Sequence, residues 1–167
     1  MNKLKEMSEK NIFDLAIKSH IQNDLKNAEI LYKKILEINP KNLNACNNLG
    51  IVFADLNNIQ DAESYYLKAI EINPNYTDAN YNIARLYKSS GKINDSIKYY
   101  KKTILINPNY VNAYNNLGLI HFEKGENLVA KKCFEKAIVI NPQSVDALNN
   151  LGIIFDTLNQ FENAINC

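Results

Sequence analysis

The tripeptide Ile-Asn-Pro occurs four times, and its prolines, Pro40, Pro74, Pro108 and Pro142, stand 34 residues apart. A catalytic site places no such demand on a chain. A stack of like units does, because each unit must offer the next the same surface. Counting so that every proline falls in slot 32 gives a lead-in over 1–8, units over 9–42, 43–76, 77–110 and 111–144, and a fifth, truncated unit over 145–167. Apolar residues within a unit advance in steps of three and four. In the second unit they are Leu49, Val52 and Phe53, then Ala62, Tyr65, Tyr66, Ala69 and Ile70. That spacing predicts two amphipathic helices per unit.

Slot 15 holds Asn23, Asn57, Gly91, Gly125 and Asn159, residue types that enter the left-handed conformation cheaply and so end a first helix. The second helix ends at Asn-Pro, where proline cannot donate to the helix behind it and pushes its predecessor out of helical geometry. Two slots stay small: slot 8 (Ala16, Gly50, Ala84, Gly118, Gly152) and slot 20 (Ala28, Ala62, Ser96, Ala130, Ala164). Large residues at slot 24 (Tyr32, Tyr66, Tyr100, Phe134) fill the space beside them. The predicted hairpin therefore packs small against large.

Residues 47–74, NNLGIVFADLNNIQDAESYYLKAIEINP, place Leu-Gly, an aromatic, Ala, an aromatic and Pro in an order and spacing that resembles the tetratricopeptide repeat. The resemblance extends over nearly the whole chain and implies an all-α, right-handed α-solenoid of stacked helix-turn-helix units. Departures are local. Slot 4 reads Cys46, Asn80, Tyr114 and Leu148 instead of tryptophan, slot 27 of the third unit is Thr103, and the first unit is degenerate, with Ser19 and Ile35 at signature slots.

Composition narrows the function. Net charge is +1 with acids and bases interleaved, so the long-range field that gathers a protein on nucleic acid or an anionic membrane is missing, and neither partner is expected. Cys46, Cys133 and Cys167 fit neither a disulfide framework nor a zinc site and point to a reducing, cytoplasmic setting. No secretory signal and no membrane-spanning run is recognisable. His20 and His121 lack Cys or carboxylate neighbours at ligand spacing, so neither a metal nor a catalytic role is assigned to them. No motif calls for a cofactor or sets a base beside a nucleophile. The lysine pairs 33–34, 101–102 and 131–132 read as a solvated outer surface, and Tyr65, Tyr66, Tyr99 and Tyr100 as inter-helix packing.

The resemblance implies a groove lined by first helices. Its slot 6 reads Asp14, Asn48, Asn82, Asn116 and Asn150. A carboxamide offers one acceptor and two donors, so a row of them can bind the amides of an extended peptide whatever its side chains. Asn44, Asn112 and Asn115 adjoin the row, as do Asn47 and Asn149, and Tyr81, Arg85 and Lys88 distinguish the third unit. Asparagine fills 28 of 167 positions, so genomic A/T bias is an alternative source of the row. Groove slots carry three bases (Lys10, Arg85, Lys88) and six acids (Asp14, Asp55, Asp78, Glu123, Asp146, Asp156), which disfavours acidic ligands. The clamp with which chaperone-binding relatives hold a terminal carboxylate is absent, since the corresponding residues are Phe13, Ile17, Asn48, Asp78 and Asn82, of which only one matches.

Two functions follow. The first is a non-enzymatic scaffold that binds an extended peptide or partner helix. The second is a substrate-recruiting arm of a larger enzyme, because residues 73–118 are similar to the repeat region of O-linked sugar transferases, O-GlcNAc transferase and its Spindly-type O-fucosyltransferase relatives. Those enzymes' catalytic domain has no counterpart in the chain. The stop at Cys167 suggests a fragment and leaves Ile153, Phe155, Leu158 and Phe161 without a covering helix, an exposed end through which copies are expected to associate.

Overall fold

The computed structural model describes residues 8–157. All nine helices among them are α: α1 (Glu9–Ile21), α2 (Leu25–Ile38), α3 (Leu43–Asp55), α4 (Ile59–Ile72), α5 (Thr77–Ser89), α6 (Ile93–Ile106), α7 (Val111–Glu123), α8 (Asn127–Ile140) and α9 (Val145–Thr157). The fold is an all-α helical-repeat solenoid. It divides between Gly91 and Lys92 into two compact units, the first holding α1–α5 and the second α6–α9. In the first unit α1, α2, α3, α4 and α5 pack each on the next, and α3 also touches α5; in the second, α6–α9 follow the same order and α7 touches α9.

Both kinds of turn form where the repeat requires them. Asn23 and Asn57 adopt φ of 58° and 57°, and Gly91 and Gly125 adopt φ of 76°. At three of these corners the amide three residues past the end of the helix reaches back to close a Schellman turn: Asp24 to the Ser19 carbonyl, Asn58 to Phe53 and Glu126 to His121. Asn159 lies outside the described residues.

The Ile-Asn-Pro corner needs its asparagine as much as its proline. Each of Asn39, Asn73, Asn107 and Asn141 accepts on Oδ1 the amide two residues on, from Lys41, Asn75, Asn109 and Gln143, at 3.0–3.3 Å. Each also accepts on its backbone carbonyl the amide three residues on. The side chain thus spans the proline, which has no N–H to give, and fixes the turn from the other side. Spacing alone points to the proline and misses this bond.

Inside the hairpins, small faces large. Ala16, Ala28 and Ala62 are fully buried in the first unit and Ser96 and Ala130 in the second. A methyl added to Gly50 would lie 2.6 Å from Cε1 of Tyr66, and one added to Gly118 would lie 2.6 Å from Cε1 of Phe134. Slot 8 is therefore small because the slot 24 ring lies on it. The departures are accommodated. Thr103 is fully buried with its hydroxyl donating to the Tyr99 carbonyl at 2.9 Å, and Ser19 is buried and accepts from Asn27 Nδ2 at 2.8 Å. Buried Asn80 donates to the carbonyls of Tyr76 at 2.8 Å and Pro74 at 3.2 Å, tying α5 to the turn before it.

One sequence expectation fails at α9. Phe155 is buried rather than uncovered, packed with Phe134, Leu151 and Ile154, and the Lys131 ammonium sits 5.0 Å from its ring centre. Its side chain turns toward α8, whereas Ile153 stays half exposed. Leu158 and Phe161 lie outside the described residues.

Substituting Gly50→Ala is expected to lower stability by about 1–3 kcal/mol by displacing the Tyr66 ring, whereas Asn57→Gly changes it by no more than a few tenths, since φ is already left-handed. Urea unfolding of the two variants checks both.

Candidate functional site

The site residues named from the sequence lie on first helices. On α3, Asn44 is exposed, Asn47 buried and Asn48 half-buried; on α5, Tyr81, Asn82 and Lys88 are half-buried and Arg85 exposed. On α7, Asn112 is exposed, Asn115 buried and Asn116 half-buried, and on α9, Asn149 is exposed and Asn150 half-buried.

The slot 6 carboxamides are not idle. In the first unit Asn82 Nδ2 donates to Asn47 Oδ1 at 2.9 Å, Asn47 Nδ2 to Asn48 Oδ1 at 3.3 Å, and Asn48 Nδ2 to the Tyr32 hydroxyl at 3.2 Å. The second unit repeats the key bond: Asn150 Nδ2 donates to Asn115 Oδ1 at 2.9 Å. The Asn82–Asn47 and Asn150–Asn115 bonds each join slot 6 of one repeat to slot 5 of the repeat before it. Both span 35 residues, one more than the repeat. The signal available in sequence was the asparagine at slot 5, Asn47 and Asn115, which stands 35 residues before the slot 6 asparagine of the next repeat.

These bonds decide what the row can offer. Asn47 and Asn115, buried to 4% and 9% exposure, act as struts and hold the outer carboxamide in orientation. Asn82 and Asn150 each commit one N–H and retain the other N–H and Oδ1. A carboxamide in that state presents one donor beside one acceptor, the complement of a peptide group's C=O and N–H.

Around the row, the first unit is mixed in charge. The Arg85 guanidinium stacks over Tyr81 with its carbon 5.9 Å from the ring centre, and His20 Nε2 meets Asp55 Oδ2 at 2.9 Å. The Tyr66 phenol is held well above its ordinary range by burial, with Arg85 pulling the other way and Asp55 adding to the rise. Tyr76 donates its hydroxyl to Asn44 Oδ1 at 2.7 Å. Burial, then the carboxylate of Asp78 and, last, Cys46 push its phenol from 10.0 up to about 12.

The remaining candidates settle into structural positions. His121 is buried, its Nδ1 2.6 Å from Glu126 Oε2, and Lys124 and then His121 draw the Glu126 carboxyl below its usual range. Burial raises the pKa of both the Cys46 and Cys133 thiols, the reverse of activation. Tyr66 and Tyr100 are buried in the core, and Tyr65 stacks on Phe53 at 5.5 Å. Among the described residues no group of three or more His, Cys, Asp or Glu is gathered as metal ligands, and no helix is long and apolar enough to cross a membrane.

Sequence models of the tetratricopeptide repeat match residues 43–76, 111–144, and 65–98 with 133–166, and a further repeat model of the same kind matches 84–125. Together they reach from 43 to 166, and the chain belongs to the tetratricopeptide-repeat family. Such proteins are generally scaffolds for protein interaction, and none of these models describes a catalytic domain. No curated protein matches the chain in sequence. Among solved structures, MamA is 24% identical with TM-score 0.79 over 90% of this chain and 88% of that one. The pilF protein of Pseudomonas aeruginosa is 18% identical with TM-score 0.88 over 95% and 72%. YrrB, described as a tetratricopeptide-repeat protein with an unusual peptide-binding site, is 20% identical with TM-score 0.71 over 93% and 80%. At these identities the likeness is one of fold.

Two outcomes test this geometry. In a double-mutant cycle, Asn47→Ala and Asn82→Ala are expected to couple by about 0.5–1.5 kcal/mol in urea unfolding, the contribution of one hydrogen bond. The raised Tyr76 pKa favours the neutral phenol in the fold, so its contribution is intact below pH 10 and is lost as pH rises toward about 12. Tyr76→Phe should flatten that alkaline loss in a pH series of melting temperatures.

Proposed function

We propose that the chain is a non-catalytic binding module that holds an extended peptide against the first helices of its repeats. The observation that carries this reading is the braced carboxamide. Asn47 supports Asn82, and Asn115 supports Asn150, so each outer amide faces outward pre-oriented with one donor and one acceptor left for a peptide group. Asn48 and Asn116 extend the row, Asn44 and Asn112 border it, and Arg85, Tyr81 and Lys88 supply side-chain selectivity. The exposed acids favour neutral or basic ligands. A neighbour of the same fold, YrrB, is described as having a peptide-binding site, which supports a peptide as the class of ligand.

The five-unit division, at 9–42, 43–76, 77–110, 111–144 and 145–167, belongs to this reading, as does a reducing cytoplasmic setting, with which the free thiols of Cys46 and Cys133 agree. A narrower version makes the module the substrate-recruiting arm of an O-linked sugar transferase. It rests on the similarity of residues 73–118 and on the asparagine row, and it calls for acceptor peptides as the ligands.

A peptide array probed with the purified chain should return ligands of broad sequence whose affinity falls tenfold or more when Asn48, Asn82, Asn116 and Asn150 are together changed to Ala, at unchanged helicity. This follows from about 0.5–1.5 kcal/mol per hydrogen bond summed over several. Unaltered affinity in the folded variant would refute the row as the binding surface.

A further inference from the structure

Net charge conceals a sorting of charge in the second unit. Its first helices, α7 and α9, hold three acids, Glu123, Asp146 and Asp156, and no lysine or arginine. Its second helices, α6 and α8, hold six lysines against two acids, Asp95 and Glu135. The second helices of the first unit, α2 and α4, hold four lysines and five acids. A chain of net charge +1 thus carries a local excess of four positive charges on two helices.

Helical spacing gathers these charges on one exposed side. On α6, Lys98, Lys101, Lys102 and Leu105 follow at steps of three, one and three; on α8, Lys132, Lys136 and Val139 take the slots of Lys98, Lys102 and Leu105, and the slot of Lys101 is Glu135. Both helices pack on α7, and the Lys101 charge on α6 acts on Cys133 of α8, pulling its thiol down against the larger upward push of burial. Lys131 is turned away, spanning Glu135 at 3.7 Å and the Phe155 ring.

Slot 29 sets the contrast with the first unit. There α2 carries Glu37, which takes Lys34 at 2.7 Å, while Glu29 takes Lys33 at 2.6 Å. In the second unit the slot is Leu105 or Val139, exposed to 81% and 73%, and Leu128 on α8 is exposed to 68%. The acid that would neutralise the lysine is replaced by an aliphatic side chain that solvent does not favour.

We infer that this side of α6 and α8 is a docking surface for an anionic lipid bilayer. Clustered lysines at the rim of exposed aliphatic side chains suit a layer of negative headgroups over hydrocarbon, the lysines meeting the headgroups and Leu105, Val139 and Leu128 dipping beneath them. Nucleic acid fits less well: the two helices contain no arginine, and bases need exposed aromatic platforms, whereas Tyr100 is buried and Tyr99 half-buried. The docking side consists of second helices, so it is independent of the asparagine row.

The test is co-sedimentation of the whole chain with phosphatidylserine-rich vesicles and with vesicles of phosphatidylcholine alone, at low and high salt. Binding is expected only to the anionic vesicles, weakening as salt is raised. Each of Lys98→Gln, Lys102→Gln, Lys132→Gln and Lys136→Gln should lower vesicle affinity about fivefold. The pair Leu105→Ser and Val139→Ser should lower it at unchanged charge. Five of the six positions are exposed and Lys102 is half-buried, and circular dichroism verifies that the variants keep their helicity. No binding to anionic vesicles at low salt, undiminished binding by the lysine variants, or binding of duplex DNA in place of vesicles would each overturn the inference.

Discussion

The architecture depends on two backbone reversals that most residues cannot make. One requires a positive φ, met by Asn23, Asn57, Gly91 and Gly125. The other joins an extended residue to proline and is closed by an asparagine side chain reaching across it, at Asn39, Asn73, Asn107 and Asn141. Between these corners every first helix is 13 residues long and every second helix 14. Constant lengths return each unit to the same phase. Only then can one surface pattern pack on its own successor, and only then does a residue at a given slot acquire a fixed neighbour one repeat away.

That fixed neighbour is what gives the asparagines their chemistry. A lone exposed carboxamide samples many rotamers and gains little from one more hydrogen bond. Asn82 and Asn150 are each held by a buried partner from the preceding repeat, so part of the ordering has occurred before any ligand arrives. The same logic runs through the core, where the absence of a side chain at Gly50 and Gly118 makes the site into which Tyr66 and Phe134 lay their rings.

Much of this was legible in the chain itself. The period, the helical pairs, the left-handed corners and the small-against-large hairpins all follow from local rules that act within one unit. What escaped depends on side chains reaching beyond their own element. The turn bonds of Asn39 and its equivalents were hidden behind proline, which accounts for a helix end by itself. Asn47 and Asn115 read as further groove asparagines because burial of a polar residue shows only when its partner is placed beside it. Phe155 read as uncovered because its orientation toward α8 is set by packing with Phe134 and Ile154. Charge was judged from a whole-chain total, which averages away the difference between α7 with α9 and α6 with α8.

The inter-repeat amide bonds also share a heading. In both units the donor stands on the later repeat and the acceptor on the earlier one, Asn82 to Asn47 and Asn150 to Asn115. Within each unit the bonded pair therefore has a direction, as a peptide backbone does. For the proposed peptide ligand, one orientation along either pair meets an amide pointing with its own and the other meets it reversed, a sense of travel that holds whatever the ligand's sequence.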